Sequence, residues 1–247
     1  MNRQNNTKGF TLVELMLAMG FLSALMIIIA MTVVQIGNIY NKGITLKEVN
    51  LVGKSLSTEL QHSIIEVASF DLSTKSYIVQ KDVSGNAIGG RLCTGKYTYV
   101  WNYGTNIEDN NFVNKYAAPV PATTSPIHLI KILDANKSYC APVSFGVYSD
   151  IPLTSASELI VSDKSQLDLA ILGLSITSNS ATAYDSTTGE RLYNIRFTLG
   201  TNKKAARITD LTTGIISCRP PSDFNSDFNF CSVNDFDIVA RAGNKIK

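Results

Sequence analysis

Apolar residues change their rhythm twice along the chain. From Phe10 to Ile36 they run almost unbroken, FTLVELMLAMGFLSALMIIIAMTVVQI, with Glu14 the one charge. That run is about 27 residues, where a bilayer core needs about 20. After Ile36 the pattern becomes amphipathic: Ile44, Glu48, Val52, Leu56, Leu60 and Ile64 follow a near i, i+4 course, with Val49 and Val67 alongside. Lys42, Lys47, Lys54, Ser57 and Gln61 fall on other faces, which predicts a helix with one buried stripe. An unbroken helix from about Phe10 to about Ala68 would be on the order of 90 Å long. Its outer half needs a cover, because the stripe is too brief for sustained coiled-coil heptads.

Beyond Phe70 the composition turns to Ser, Thr, Asn, Gly and Tyr, in short alternating runs between turns. Tyr97, Tyr99, Trp101 and Tyr103 alternate with Thr98, Val100 and Asn102, and Ile127 to Leu133 is a second candidate strand. Leu167, Leu169 and Ile171 face one way, and Leu174 and Ile176 continue in shifted phase, which predicts a bulge near Gly173. Tyr193, Ile195, Phe197 and Leu199 alternate with Asn194, Arg196 and Thr198, after the turn-rich stretch from Asp185 to Gly189. Ala117 to Pro126, with three prolines, reads as a surface connection. The expected fold is α+β: a long N-terminal helix, half transmembrane and half amphipathic, packed on a mainly antiparallel β-sheet domain.

Before the apolar run stand Arg3 and Lys8, which favour a cytoplasmic location for that end and export of the rest. A secretory signal would have a shorter apolar core and a small-residue cleavage site after it. Here the small residue, Gly9, precedes the run. The stretch Lys8-Gly9-Phe10-Thr11-Leu12-Val13-Glu14 resembles the prepilin motif of type IV pilins and type II secretion pseudopilins. The resemblance implies that a prepilin peptidase cuts between Gly9 and Phe10 and methylates the new amine of Phe10. It implies four segments: a leader over 1–9, a transmembrane and assembly helix over 10–36, its amphipathic continuation over 37–70, and an extracytoplasmic β-rich domain over 71–247.

An ionised carboxylate inside a bilayer costs about 3 kcal/mol or more unless paired. In the family the glutamate at the position of Glu14 meets the N-terminal amine of a neighbouring subunit. Gly20 and Gly37 are weak points of the helix, each costing about 1 kcal/mol relative to alanine; with no proline in the run, melting of the helix there is not expected, and close helix packing is the simpler role for Gly20. The order of one helix then many strands is similar to the PilW/PulJ class of minor pilins. The implied function is a structural subunit of a type IV pilus, with a secretion pseudopilin or a filament-displayed adhesin or DNA-uptake subunit as alternatives. The implied partners are the prepilin peptidase, other pilin subunits, an inner-membrane assembly platform and, before assembly, the lipid bilayer.

Charge adds one exclusion. The net charge is +2, and Arg3 and Lys8 lie before the expected cut, so +2 minus 2 leaves a mature chain near zero. A general electrostatic grip on nucleic acid is therefore not expected. The four cysteines, Cys93, Cys140, Cys218 and Cys231, follow the apolar segment without CxxC spacing, and in an oxidising compartment they read as two disulfides. Four cysteines allow three connectivities. Pairing of sequence neighbours, Cys93 with Cys140 and Cys218 with Cys231, is the expectation, and the C-terminal disulfide loop common in the family favours the second pair.

Catalytic chemistry has little to work with. His62 and His128 stand in no metal-binding or nucleophile-activating spacing, GxSxG, HExxH, Walker and dinucleotide patterns are absent, and neither enzyme activity nor a cofactor is expected. Asp223, Asn225, Asp227 and Asn229, with Asp235 and Asp237, offer oxygen ligands, but Phe228 and Asn234 stand where an EF-hand needs glycine and glutamate. A solvated loop with Phe224, Phe228 and Phe230 packing inward is the expectation, and no metal site. The Tyr97 to Tyr103 row reads as core rather than a stacking platform. Lys203, Lys204, Arg207, Arg241, Lys245 and Lys247 read as solvation rather than a DNA-catching patch.

Overall fold

The computed structural model describes residues 9–72, 76–82, 84–104, 127–144, 147–149, 151, 155–160, 167–178, 190–210, 214–224 and 226–243. The leader before Gly9, the 117–126 connection, the 185–189 turn, Asn225, Lys245 and Lys247 lie outside those residues.

Helix α1 runs unbroken from Leu12 to Ile65, 54 residues, or about 80 Å at 1.5 Å per residue. Gly20, Gly37 and Gly43 lie within it without interrupting it. Its end falls three residues short of the expected Ala68, capped by the Glu66 N–H on the carbonyls of His62 and Ile64. From Gly9 to Tyr40 every residue is exposed, and burial begins at Asn41. The buried stripe is Thr45, Val49, Val52, Gly53, Leu56, Leu60, Ser63 and Ile64. Ile44 and Glu48, expected on that stripe, are only half-buried at its edge.

The strands in chain order are β1 Tyr77–Lys81, β2 Ala87–Cys93, β3 Tyr97–Asn102, β4 Leu129–Leu133, β5 Pro142–Ser144, β6 Val147–Tyr148, β7 Ala156–Glu158, β8 Leu169–Ser178, β9 Arg191–Thr201, β10 Arg207–Thr209, β11 Ile216–Cys218 and β12 Val233–Ala242. A five-stranded antiparallel sheet has the order β1-β2-β3-β4-β7, and a three-stranded one the order β12-β9-β8. β5–β6 and β10–β11 are small antiparallel pairs.

The helix stripe lies against β12 and β9, and the two larger sheets close over it. Tyr193, Ile195, Phe197 and Leu199 of β9 are fully buried there, as the alternation predicts. In β8 the register shifts between Ile171 and Gly173, so that Leu169, Ile171, Leu174 and Ile176 all reach the same core. That is the expected bulge, an extra residue that restores the face. Tyr99 and Trp101 are also core, each 1% exposed, while Tyr97 and Tyr103 are half-buried against it. On the far face of the five-stranded sheet Val100, Ile127, Ile130, Ile132 and Ile151 form a second, smaller core.

Phe236 of β12 stacks on Phe197 with ring centroids 5.0 Å apart and lies over Gly53. A Cβ at residue 53 would overlap that ring, so this glycine lets the helix approach the sheet. At the far end of α1 the Phe70 N–H donates to the Tyr193 hydroxyl, which in turn donates to the Phe70 carbonyl, and the two rings stack at 4.4 Å.

Candidate membrane and assembly surface

Thr11 caps α1. Its hydroxyl oxygen accepts from the Glu14 N–H at 3.3 Å, while Glu14 Oε2 accepts from the Thr11 N–H and hydroxyl, both at 2.9 Å. This reciprocal capping box satisfies donors that a helix start leaves unpaired. The Thr11-x-x-Glu14 spacing is legible in the sequence, yet the motif reading passes over it. Glu14 thus has hydrogen-bond donors within its own chain, which lowers the cost of holding it in an apolar layer. Gly9 and Phe10 lie immediately before this cap, both exposed.

Leu12 to Ile36 spans about 37 Å, against a hydrocarbon core of about 30 Å. Side chains all round this stretch are apolar and exposed, among them Phe21, Leu22, Met26, Ile28 and Val33. α1 is long and apolar enough to cross a membrane, and it is the one helix of that kind among the described residues. No atom comes within 4 Å of a Cβ built at Gly20, Gly37 or Gly43, so any close packing at Gly20 would have to come from outside the chain.

Where the helix enters the domain, Lys42 ties it to the C-terminal loop. Its Nζ donates to the Phe228 carbonyl at 3.2 Å and the Cys231 carbonyl at 2.5 Å and lies 4.0 Å from the Phe228 ring centroid. Thr45 adds a hydroxyl donated to the Asn229 carbonyl at 3.3 Å. Burial lowers the pKa of Lys42. Lys42, expected on a face other than the buried stripe, is half-buried here by the C-terminal loop. The loop is closed by a Cys218–Cys231 disulfide, and Cys93–Cys140 ties β2 to the turn before β5. The inward packing expected of the loop phenylalanines does not hold: Phe224 is 94% exposed, Phe230 is 42% exposed, and Phe228 is half-buried under Lys42.

The remaining candidates are engaged within the fold. Asp223 faces Arg219, Asp227 pairs with Lys203, Asp235 accepts from Thr198, and Asp237 accepts from Nε and Nη2 of Arg196 at 2.8 and 3.0 Å. Arg207 is buried, and Arg241 pairs with Glu190 at 3.2 Å. His62 is exposed, 3.8 Å from Glu66.

His128 lies just before β4 rather than in it, with Nε2 3.0 Å from Asp168 Oδ1 and Nδ1 3.9 Å from Glu158. Burial opposes its charge, but hydrogen bonds to Asp168 and Glu158 and their charges outweigh burial and raise its pKa to about 9. Asn202 donates to the other Asp168 oxygen at 2.7 Å, so this group bridges the two larger sheets. Glu59 on α1 accepts from Lys131, Tyr99 and Ser63, and although burial favours its neutral form, these partners hold its pKa below the ordinary value. Neither group was singled out by sequence spacing.

No protein-family model, curated protein or solved structure matches this chain. The architecture itself is plain: one long apolar N-terminal helix on an antiparallel β-sheet domain with two disulfides, an arrangement compatible with that of a pilin.

Proposed function

We propose that the chain is a structural subunit of a type IV pilus, in the role of a minor pilin. A prepilin peptidase removes the leader after Gly9 and methylates Phe10, the helix holds the protein in the cytoplasmic membrane with its domain outside, and assembly draws it into a filament among other pilin subunits. The observation that carries this reading is the form of α1: one continuous helix, bare and apolar up to Tyr40, then buried in a domain along one stripe. A bare helix of this kind requires an apolar surrounding, first lipid and then the helices of neighbouring subunits. Glu14, the one charge in the run, supplies a specific contact for a neighbour's N-terminal amine. The disulfides suit an exported domain. The role is structural rather than catalytic, with His128 hydrogen-bonded to Asp168 and His62 exposed on the helix surface.

Intact-mass measurement of the membrane-extracted protein tests the processing step. The expected mature chain begins at methylated Phe10. Recovery of a chain still beginning at Met1, or of one cut after Ile36, in cells with an active prepilin peptidase, would contradict it.

A further inference from the structure

Outside α1, Val143, Leu133 and Val239 are exposed at scattered places, whereas four exposed large apolar side chains, Ile208, Ile215, Phe224 and Phe230, fall on the one segment between β9 and β12, and Phe224 is 94% exposed. That segment lies at the end of the sheet where α1 leaves the domain, because β12 starts beside the Lys42 end of the helix and finishes beside Val67. The Cys218–Cys231 bond, the β10–β11 pairing and the Arg219 N–H on the Ala206 carbonyl hold its shape. Phe224 therefore stays exposed within a constrained loop.

Two distances bring this segment within reach of a bilayer surface drawn at the end of the apolar run. Ile36, the last residue of the apolar run, is six residues before Lys42, about 9 Å along the helix. Phe224 is four residues before Phe228, whose carbonyl Lys42 holds, so its backbone lies within about 14 Å of that anchor. Exposed Ile39 and Tyr40 fill the interval on the helix, at the depth where aromatic side chains favour a membrane boundary.

We propose that the described residues 202–210, 214–224 and 226–232 form a membrane-resting foot, with Phe224 inserted in the interfacial layer of the outer leaflet before assembly. This rests on the membrane-held reading given above. Its occupant is a lipid surface rather than a protein, because the foot is continuous with the lipid-exposed helix. Its charges, Lys203, Lys204, Arg207 and Arg219 against Asp210, Asp223 and Asp227, nearly cancel, so the contact is apolar and needs no anionic lipid. Docked in this way, the domain is held at one tilt to the membrane.

The test uses the full chain in zwitterionic phosphatidylcholine vesicles at low protein density, with Phe224→Trp and, at the opposite end of the domain, exposed Leu133→Trp as reference. Trp101 is buried, and the wild-type signal is subtracted. Phe224→Trp should emit at shorter wavelength than Leu133→Trp, be quenched by lipids brominated on their acyl chains, and be several-fold less accessible to acrylamide. Equal acrylamide access in both variants, on vesicles that still carry the protein in flotation, would overturn the foot and leave the anchor intact. Protection of Phe224→Trp only at high protein density would overturn it too, assigning the patch to a neighbouring subunit. Failure of the protein to float would overturn the membrane reading itself.

Discussion

Alanine at Gly53 and alanine at Gly43 are the same substitution on the same helix, and the structure gives them opposite signs. Removing a glycine from a helix interior gains about 1 kcal/mol in propensity. At Gly43 nothing lies within 4 Å of the added methyl, so that gain stands and Gly43→Ala is neutral to stabilising by about 1 kcal/mol. At Gly53 the methyl overlaps the Phe236 ring, which cannot simply rotate away because it is stacked on the fully buried Phe197. Overpacking of this kind costs about 1–3 kcal/mol, so Gly53→Ala should lose about 1 kcal/mol net and Gly53→Leu about 3. Urea unfolding of the full chain in detergent micelles, followed by the fluorescence of buried Trp101, measures both. Equal shifts for Gly43→Ala and Gly53→Ala would refute the packing of α1 on β12.

Further outcomes follow from the loop and the inter-sheet bridge. Replacing Cys218 and Cys231 by serine should cost about 3 kcal/mol in the chain-entropy model and free the Lys42 amine, read as a lower unfolding midpoint with amide exchange rising first in 226–231; exchange unchanged there would separate the disulfide from the Lys42 tie. His128 has its pKa raised from an ordinary 6.5 to about 9, so its stabilisation is fully present below 6.5 and lost as pH rises through 9. The shift corresponds to roughly 3 kcal/mol at most. Asp168, with its pKa lowered from an ordinary 3.8, is the other half of the same pair: its share is present above that value and lost as pH falls through its lower folded value. Stability should therefore decline from pH 6.5 to 9 in the wild type and much less in His128→Gln, and parallel pH curves would remove the bridge from the account.

What the sequence disclosed follows from periodic burial. The apolar run of α1, its stripe, the alternation in β9 and the bulge in β8 each present one face to one environment, and that leaves a local pattern. β2 leaves none, because AIGGRLC is buried from Gly89 onward on both faces and carries Arg91 inside, where it donates to the Tyr139 and Ser149 carbonyls. Its paired glycines look like a turn, yet a Cβ at Gly90 would strike the Ile78 carbonyl and the Trp101 ring. β12 was hidden for another reason: Asp235 and Asp237 resemble metal ligands in sequence, but their partners are Thr198 and Arg196 across the strand pair. Lys42 could not be placed from its neighbours, since its partners are carbonyls from the other end of the chain. The Thr11 and Glu14 capping box is legible because it depends on spacing alone.

The most direct test of a membrane-held filament subunit is the ratio of this protein in sheared filaments to that in membranes, compared for wild type, Glu14→Gln and Glu14→Lys. Glutamine preserves a side-chain acceptor for the Thr11 cap and removes only the charge, so Glu14→Gln should be made, inserted and cleaved like the wild type. Filament entry should fall in Glu14→Gln, because a neighbour's amine then lacks its carboxylate in an apolar core, where an unpaired charge costs several kcal/mol. Glu14→Lys should enter least, since two positive groups would meet. An unchanged ratio across the three, or no wild-type protein in filaments at all, would contradict the account.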